Sequence, residues 1–93
     1  MNTDVLEKLW ATIQDRKRSP SKESYTCKML ANPEKLEGKI REESGELIKS
    51  KKGDGKDSTR WEAADLIYHL MVYLAAKDVE FDEVLLELKR RMK

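Results

Sequence analysis

The sequence contains few of the residues that mark disulfide-linked, zinc-binding or membrane-spanning proteins. Its single cysteine, Cys27, cannot form an internal disulfide and has no cysteine or histidine neighbour at zinc-ligand spacing, which is typical of a reducing compartment. The longest apolar-rich run, residues 63–76, contains Asp65 and His69 and is shorter than the roughly 20 residues that a bilayer span needs. We therefore expect no membrane association.

An excess of charge of one sign is also missing. The 19 basic and 18 acidic side chains give a net charge of +1, which argues against electrostatic binding of nucleic acid. The first ten residues, MNTDVLEKLW, lack the basic start and the apolar run of an export signal, so we expect a cytoplasmic location. The length of 93 residues fits a single domain, 1–93, with a modest core.

Strand-like alternation is nowhere sustained, whereas the two prolines and four glycines divide the chain into helical segments. The start signals predict four main helices and one short helical segment. The first helix runs from Asp4, with Glu7 as its capping pair, to near Lys17, and a short segment capped by Ser24 follows. The next two helices run from Asn32-Pro33 to about Lys51 and from near Thr59 to about Ala76. The last helix starts at the cap Asp82, with Phe81 packed on Leu86. The segment KKGDGKDS, residues 51–58, has no apolar residue and is expected to be a mobile connection.

These elements predict an all-α fold, most simply an antiparallel helical bundle that a second subunit completes. The helix at 59–76 is apolar nearly all round, and such a helix is expected to be buried on most of its faces. One short chain cannot easily cover that much apolar surface. We therefore predict a homodimer or a larger homo-oligomer.

An acidic residue occupies a core position on the helix that starts at Pro33. Leu36, Ile40 and Leu47 form one apolar stripe, and Glu43 falls beside its centre. Glu46 lies on the flank of the stripe. Among the acids of this helix, only Glu43 and Glu46 are expected to face inward together.

A polar seam lies on the following helix, where Glu62, Asp65 and His69 are three and four residues apart. An unpaired carboxylate in an apolar setting is destabilising unless it is protonated, so a cation shared between the two helices is the simplest explanation. Carboxylate oxygens suit a hard divalent ion, Mg²⁺ or Mn²⁺, whereas zinc would require His or Cys. The predicted metal ligands are Glu43, Glu46, Glu62 and Asp65.

Structural roles for the same acids remain open. Glu62 would complete a capping box if Thr59 begins its helix, and Glu42 and Glu46 would form surface ion pairs. Two acid pairs with a spacing of three residues, both on inward faces, favour the metal site over these structural roles.

Several segments, in this order along the chain, are similar to one known family. They are IQDRK at 13–17, SYT at 24–26, KIREESGE at 39–46, EAADLIYHLMVYLAA at 62–76 and the closing VLLELKRR. The chain resembles the phosphoribosyl-ATP pyrophosphohydrolases, all-α enzymes of histidine biosynthesis within the wider α-helical nucleoside triphosphate pyrophosphohydrolase superfamily. The two acid motifs alone would indicate only the superfamily. The order DRK, SYT, EAADLIYH indicates the specific member.

The resemblance implies hydrolysis of a small nucleotide, phosphoribosyl-ATP, between its α and β phosphates, with Mg²⁺ required and with phosphoribosyl-AMP and pyrophosphate as products. It assigns the metal to the same four acids. One acid would also accept a proton from the attacking water, and Glu42 is a candidate for this role, although its helical angle favours an ion pair. His69, one turn beyond Asp65, would orient a carboxylate, and its structural alternative is an inward-facing polar residue.

The resemblance also implies contacts to the phosphates or the ribose of the substrate. The matching residues are Arg16 and Lys17, while Ser24 and Thr26 would present hydroxyls or a helix start to the nucleotide. Lys39 is a further candidate because of its position on the helix. Lys39 lies on the same helix flank as Glu46, where it could reach the leaving pyrophosphate, or it forms a salt bridge instead. For Ser24 the structural alternative is a helix cap.

Two other functions remain open. A house-cleaning nucleoside triphosphate pyrophosphatase would need the same metal-binding acids and would differ only in its substrate pocket. A non-catalytic helical dimer would use the acids for structural ion pairs or for a regulatory metal. Substrate profiling separates the two enzymes, and turnover by variants of Glu43 and Asp65 separates both enzymes from the non-catalytic dimer.

Overall fold

The computed structural model of the protein describes residues 1–50 and 55–92, and these residues are all-helical with no strand. The helices are α1 (Asp4–Arg18), α2 (Tyr25–Leu30), α3 (Pro33–Ser50), α4 (Gly55–Ala76) and α5 (Phe81–Arg91). The predicted all-α class, with four main helices and one short segment, is confirmed. The predicted connection at 51–58 is only partly described, because 51–54 lie outside the described residues. Its remainder is the first turn of α4, so the expected start near Thr59 was four residues late.

Side-chain caps fix the starts of α2 and α3 as predicted. The hydroxyl oxygen of Ser24 accepts a hydrogen bond from the backbone N–H of Cys27 at 3.2 Å. The side-chain oxygen of Asn32 accepts one from the N–H of Lys35 at 3.2 Å, and Pro33 occupies the first position of α3. Each cap provides an acceptor for a backbone donor that the first helical turn leaves unpaired.

The caps predicted for the first and last helices were wrong. α1 begins at Asp4, but Thr3 holds the cap position and makes no side-chain cap bond. α5 begins one residue before the predicted cap Asp82, because Glu80 and Glu83 form a reciprocal capping box there. A glutamate at the cap position is less common than Ser, Thr, Asp or Asn, which is why the sequence pattern favoured Asp82.

Phe81 packs on the first helix. Its ring centroid lies 5.7 Å from that of Trp10, whereas Leu86, the predicted partner, is 67% exposed. The indole N–H of Trp10 also donates to a carboxylate oxygen of Glu80 at 3.4 Å. These contacts hold the start of α5 against α1.

α3 and α4 pack side by side in antiparallel directions and make the most extensive contact of any two helices that the structure describes. The hydroxyl of Ser50 lies 3.2 Å from that of Thr59 where the two helices meet, and Glu43 contacts His69 farther along both. α1 and α2 also pack against α4, and α2 contacts α3 as well. The buried apolar core is formed by Ile13, Met29, Leu36, Met71, Val72 and Ala75.

A large part of α4 and α5 is not covered by the single chain. Trp61 is 69% exposed, and Ile67 and Leu70 are also exposed, so one chain leaves part of the apolar surface of α4 uncovered, as the sequence predicted. The leucines of α5 at 85, 86 and 88 are exposed as well. Dimerisation stays a prediction. Within the described part of the chain, no helix is both long enough and apolar enough to pass through a bilayer.

Candidate active site

A buried hydrogen-bonded pair forms the centre of the candidate site. Glu43 of α3 is 8% exposed and His69 of α4 is 5% exposed. The Nδ1 atom of His69 lies 2.7 Å from Oε1 of Glu43 and 3.1 Å from the backbone carbonyl oxygen of Asp65. Because both neighbours are acceptors, Nδ1 carries the proton and donates. The expectation that His69 orients a carboxylate therefore has a specific geometry, in which the carboxylate is that of Glu43 across the helix interface.

The other ring nitrogen of His69 is bound by the short helix α2. The hydroxyl of Tyr25 lies 2.7 Å from Nε2 of His69. Burial raises the pKa of Tyr25, and Tyr68 and the carboxylates of Glu43, Asp65 and Glu42 raise it further. The phenol therefore keeps its proton near neutral pH, and it can donate that proton to a neutral imidazole.

Four further carboxylates surround this buried pair, and together with Glu43 we call them the acid cluster. The five members are Glu42, Glu43, Glu46, Glu62 and Asp65. Glu62 and Asp65 are half-buried, whereas Glu42 and Glu46 are exposed. The expectation that Glu46 faces the interior with Glu43 is therefore wrong for the single chain.

The members of the acid cluster are close enough to affect one another's ionisation. Desolvation is the largest cause of the raised pKa of Glu62, followed by the charges of Asp65, Glu46, Glu43 and Glu42. The sequence prediction that acids of α3 and α4 converge is therefore supported by their mutual electrostatics. The result is a concentrated negative potential on one face of the helix pair.

The structural alternatives for these acids are not found among the described residues. Thr59 lies inside α4, where its hydroxyl donates to the carbonyl oxygen of Ser50 at 3.3 Å, so it is not the cap that Glu62 would need. Glu42 and Glu46 form no ion pair with any part of the chain that the structure describes. Neither surface pairing nor capping therefore accounts for the cluster.

The acid cluster matches Mg²⁺ in donor chemistry and charge, although it is not closed into a ligand shell. Within residues 1–50 and 55–92, no three acidic, histidine or cysteine side chains are grouped tightly enough to hold an ion as they stand. Like charges repel, so flexible carboxylates spread apart unless a cation draws them together. The oxygen donors and the net negative charge fit a hard divalent cation, and the exposed and half-buried side chains can rotate toward it.

Lys39 is the predicted substrate residue that lies nearest to the acid cluster along α3. It stands one helical turn before Glu43, is half-buried, and forms no ion pair with the described residues. Arg16, in contrast, contacts Asp15 with 3.3 Å between the charged atoms. The ammonium group of Lys39 is therefore not paired with any carboxylate of the described residues, whereas the guanidinium of Arg16 forms a weak ion pair with the exposed Asp15.

Lys17 is bound at the end of α4. Its ammonium group donates to the carbonyl oxygen of Ala75 at 2.7 Å and pairs with the carboxylate of Asp78. Asp78 has a positive φ of 60°, the left-handed conformation that closes many helix ends. Ala75 is ten residues beyond Asp65, which is about 15 Å along the helix. The structure thus places Lys17 as a cap of α4, at a distance from the acids.

The two hydroxyl residues predicted at the start of α2 have structural contacts. Ser24 is the cap of α2, which is the structural role predicted as its alternative to substrate binding. The hydroxyl of Thr26 is hydrogen-bonded to that of Tyr68. The rings of Tyr25 and Tyr68 are stacked with centroids 6.3 Å apart. Sequence analysis missed the roles of these two tyrosines, because residues more than 40 positions apart leave no local spacing signal.

Comparison with known proteins identifies close relatives over nearly the whole chain. The family model described as phosphoribosyl-ATP pyrophosphohydrolase matches residues 6–92. A protein named phosphoribosyl-ATP pyrophosphatase from Methanocella arvoryzae is 43% identical, and the match covers 97% of this chain and 98% of the relative. Proteins of the same name from Dinoroseobacter shibae and Roseobacter denitrificans are 51% and 48% identical, each over 94% of this chain and over 86% and 84% of their own.

Proposed function

Since this chain belongs to the phosphoribosyl-ATP pyrophosphohydrolase family, we propose that it hydrolyses phosphoribosyl-ATP to phosphoribosyl-AMP and pyrophosphate in histidine biosynthesis. The observation that carries the proposal is the acid cluster beside the buried Glu43–His69 pair. A cytoplasmic location agrees with this function.

We assign Mg²⁺, with Mn²⁺ as a substitute, to the acid cluster. Glu43, Glu46, Glu62 and Asp65 would hold the ion, since they supply oxygen donors from both α3 and α4. When bound, the ion neutralises charge on the phosphate oxygens and lowers the pKa of a water molecule. The raised pKa of Glu62 supports this assignment, because a group of acids that repel one another gains stability from a shared cation.

The remaining chemistry falls to residues around these four. Glu42 is exposed, has no ion pair with the described residues and adjoins Glu43, so it is available to accept a proton from an attacking water. Lys39 is placed to bind an oxygen of the pyrophosphate leaving group, because its charge is unpaired within the described residues and lies one turn from Glu43.

Contacts to the rest of the substrate are assigned to the face that α1 and α2 present. Arg16 is the cation available there, because its partner Asp15 is exposed and easily exchanged for a phosphate. Ser24 and Thr26 would support the position of α2 beside the acid cluster through the bonds they make to Cys27 and Tyr68. We propose a structural role for Lys17, because both of its partners lie at the end of α4.

An assay of pyrophosphate release tests the proposal. Phosphoribosyl-ATP should be cleaved in the presence of Mg²⁺ and not after chelation, and Glu43→Gln and Asp65→Asn should lower kcat by at least about 100-fold while remaining folded. Faster cleavage of free deoxynucleoside triphosphates would instead indicate a house-cleaning pyrophosphatase. Full turnover by both folded variants would indicate that the acid cluster is structural.

A further inference from the structure

One oxygen of the buried Glu43 carboxylate is held by a line of hydrogen bonds that crosses three helices. The line starts at the hydroxyl of Tyr25 on α2, passes through both ring nitrogens of His69 on α4, and ends at Oε1 of Glu43 on α3. Each of the two bonds between side chains measures 2.7 Å. Glu43 is the only member of the acid cluster for which the described residues provide a side-chain hydrogen bond.

We propose that His69 and Tyr25 are positioning residues, which fix the Glu43 carboxylate so that its second oxygen is presented to the divalent cation. The inference rests on the proposed function, because it takes the acid cluster to be the metal site. His69 acts by holding Oε1, and Tyr25 acts by holding His69.

The direction of each hydrogen bond follows from the neighbours of the imidazole. Nδ1 faces two acceptors, the Glu43 carboxylate and the carbonyl oxygen of Asp65, and must therefore donate. In the neutral ring Nε2 is then an acceptor, and the Tyr25 hydroxyl is the only side-chain partner it has among the described residues. The three groups thus select a single tautomer and a single ring orientation, which is the usual function of the partner of a metal-binding carboxylate or imidazole.

Burial makes this arrangement effective. Glu43 and His69 are both less than a tenth exposed, so water does not compete for the bond between them. The other four acids are half-buried or exposed and have no such support within the described residues. Glu43 is therefore the one ligand whose position is set before the ion arrives, and the other three ligands, Glu46, Glu62 and Asp65, can adjust around it.

Two substitutions at His69 test the hydrogen bonds of its two ring nitrogens separately. The side-chain nitrogen of asparagine occupies nearly the place of Nδ1, so His69→Asn keeps a donor for Glu43 and loses the bond to Tyr25. The side-chain nitrogen of glutamine occupies nearly the place of Nε2, so His69→Gln keeps the bond to Tyr25 and loses the donor to Glu43. Tyr25→Phe removes only the hydroxyl. Tyr73→Phe is the matched control, because it removes a hydroxyl from α4 that takes no part in these hydrogen bonds.

Binding of Mn²⁺ in the absence of substrate, measured by calorimetry or by electron paramagnetic resonance, provides a readout that is independent of turnover. We expect His69→Gln to weaken binding by about 10-fold to 100-fold, with smaller losses for His69→Asn and Tyr25→Phe and none for Tyr73→Phe. Equal losses for His69→Asn and His69→Gln, or equal affinities for Tyr25→Phe and Tyr73→Phe relative to the parent protein, would overturn the inference.

Nitrogen NMR of the metal-free parent protein tests the tautomer directly and does not depend on any variant folding. The predicted spectrum has a protonated Nδ1 and an unprotonated Nε2 at His69, and the reverse assignment contradicts the proposal. A parent protein that binds Mn²⁺ and cleaves phosphoribosyl-ATP, combined with unaffected variants, would refute the positioning role alone. A parent protein that does neither would refute the proposed function.

Discussion

Repulsion among carboxylates is the main electrostatic feature of the individual residues in this site. Desolvation and four neighbouring acids raise the pKa of Glu62 above its ordinary value of 4.5. An acid whose pKa is higher in the folded protein than in the unfolded chain destabilises the folded state once it ionises. Its contribution to stability is present below the unfolded pKa and is lost as the pH rises through the folded pKa.

The metal-free protein should therefore be stabilised by Glu62→Gln, and more so at neutral than at acidic pH. We expect the difference in Tm between variant and parent to grow from about pH 4 to about pH 7, measured by thermal unfolding in the presence of a chelator. Glu23→Gln, in the exposed loop before α2, is the control. A variant less stable than its parent at neutral pH would contradict the repulsion.

Lys17 provides a second prediction for a single residue. Replacing it by methionine removes the two hydrogen bonds at the end of α4 while keeping an apolar chain of similar length. We expect a loss of about 1 kcal/mol in the free energy of unfolding, measured in urea, because a partly exposed charged bond contributes little more than that. The KM for phosphoribosyl-ATP should be unchanged.

A matched control for Lys17 exists on the same helix. Arg18→Met removes a more exposed pair with Asp15, whose charged atoms are 3.7 Å apart, and should leave stability unaltered. A large rise in KM for Lys17→Met with normal stability would return Lys17 to the substrate contacts that the family motif suggested.

Sequence alone located the acids but not the groups that hold them. Helical spacing placed Glu43 in an apolar stripe, and the burial of Glu43 confirms that placement. Helical spacing also grouped the side chain of Asp65 with that of His69, which stays a prediction. It could not show that Tyr25 reaches His69, because that contact joins residues 44 positions apart. It also placed Glu46 inward, because its projection used one helix and did not include the neighbours that decide exposure.

Helix starts divide into those with a short polar cap and those without one. The sequence correctly predicts Ser24 as the cap of α2 and Asn32-Pro33 as the start of α3, because Ser and Asn are strong caps and Pro suits the first helical position. The starts of α4 and α5 were placed late. α4 begins with Gly55-Lys56, which carries no start signal, and α5 is capped by a glutamate pair. The start of α5 is therefore set by a local motif, which the preference for Asp at the cap position outweighed in the prediction.

The two glycines inside α3 offer a test of helix propensity in this fold. A methyl group added at Gly38 or Gly45 would meet no atom of the described residues within 4 Å, apart from the adjoining residues and the backbone of α3 itself. We expect Gly38→Ala and Gly45→Ala each to raise the free energy of unfolding by about 0.5–1 kcal/mol, because alanine loses less backbone entropy in a helix. Urea unfolding measures both. Destabilisation by Gly45→Ala would show that a neighbour outside the single chain packs closely against α3.

At the scale of the whole molecule, the exposed apolar side chains of α4 and α5 indicate an incomplete surface. Trp61, Ile67 and Leu70 on α4, with Leu85 and Leu86 on α5, are all exposed in one chain. Apolar groups in this number favour association with a second copy. The apolar circumference of α4 predicted from the sequence that one chain would leave apolar surface uncovered. That prediction concerned α4 alone and did not include the exposed leucines of α5.

Sedimentation velocity tests this surface. We expect the protein to sediment as a dimer or larger at micromolar concentration, and we expect Leu86→Glu to shift it toward monomer. Val5→Glu adds the same charge to an exposed apolar position of α1 and should leave the distribution unchanged. A parent protein that stays monomeric at all concentrations would exclude the predicted homodimer.

The central claim is that carboxylates from α3 and α4 hold one divalent cation between them. An anomalous difference map from crystals soaked in manganese tests it most directly. We predict a peak between the two helices, in contact with the carboxylates of Glu43 and Asp65 and with those of Glu46 and Glu62 turned toward it. A well-ordered map with no peak there, and with these carboxylates directed separately into solvent, would contradict the account.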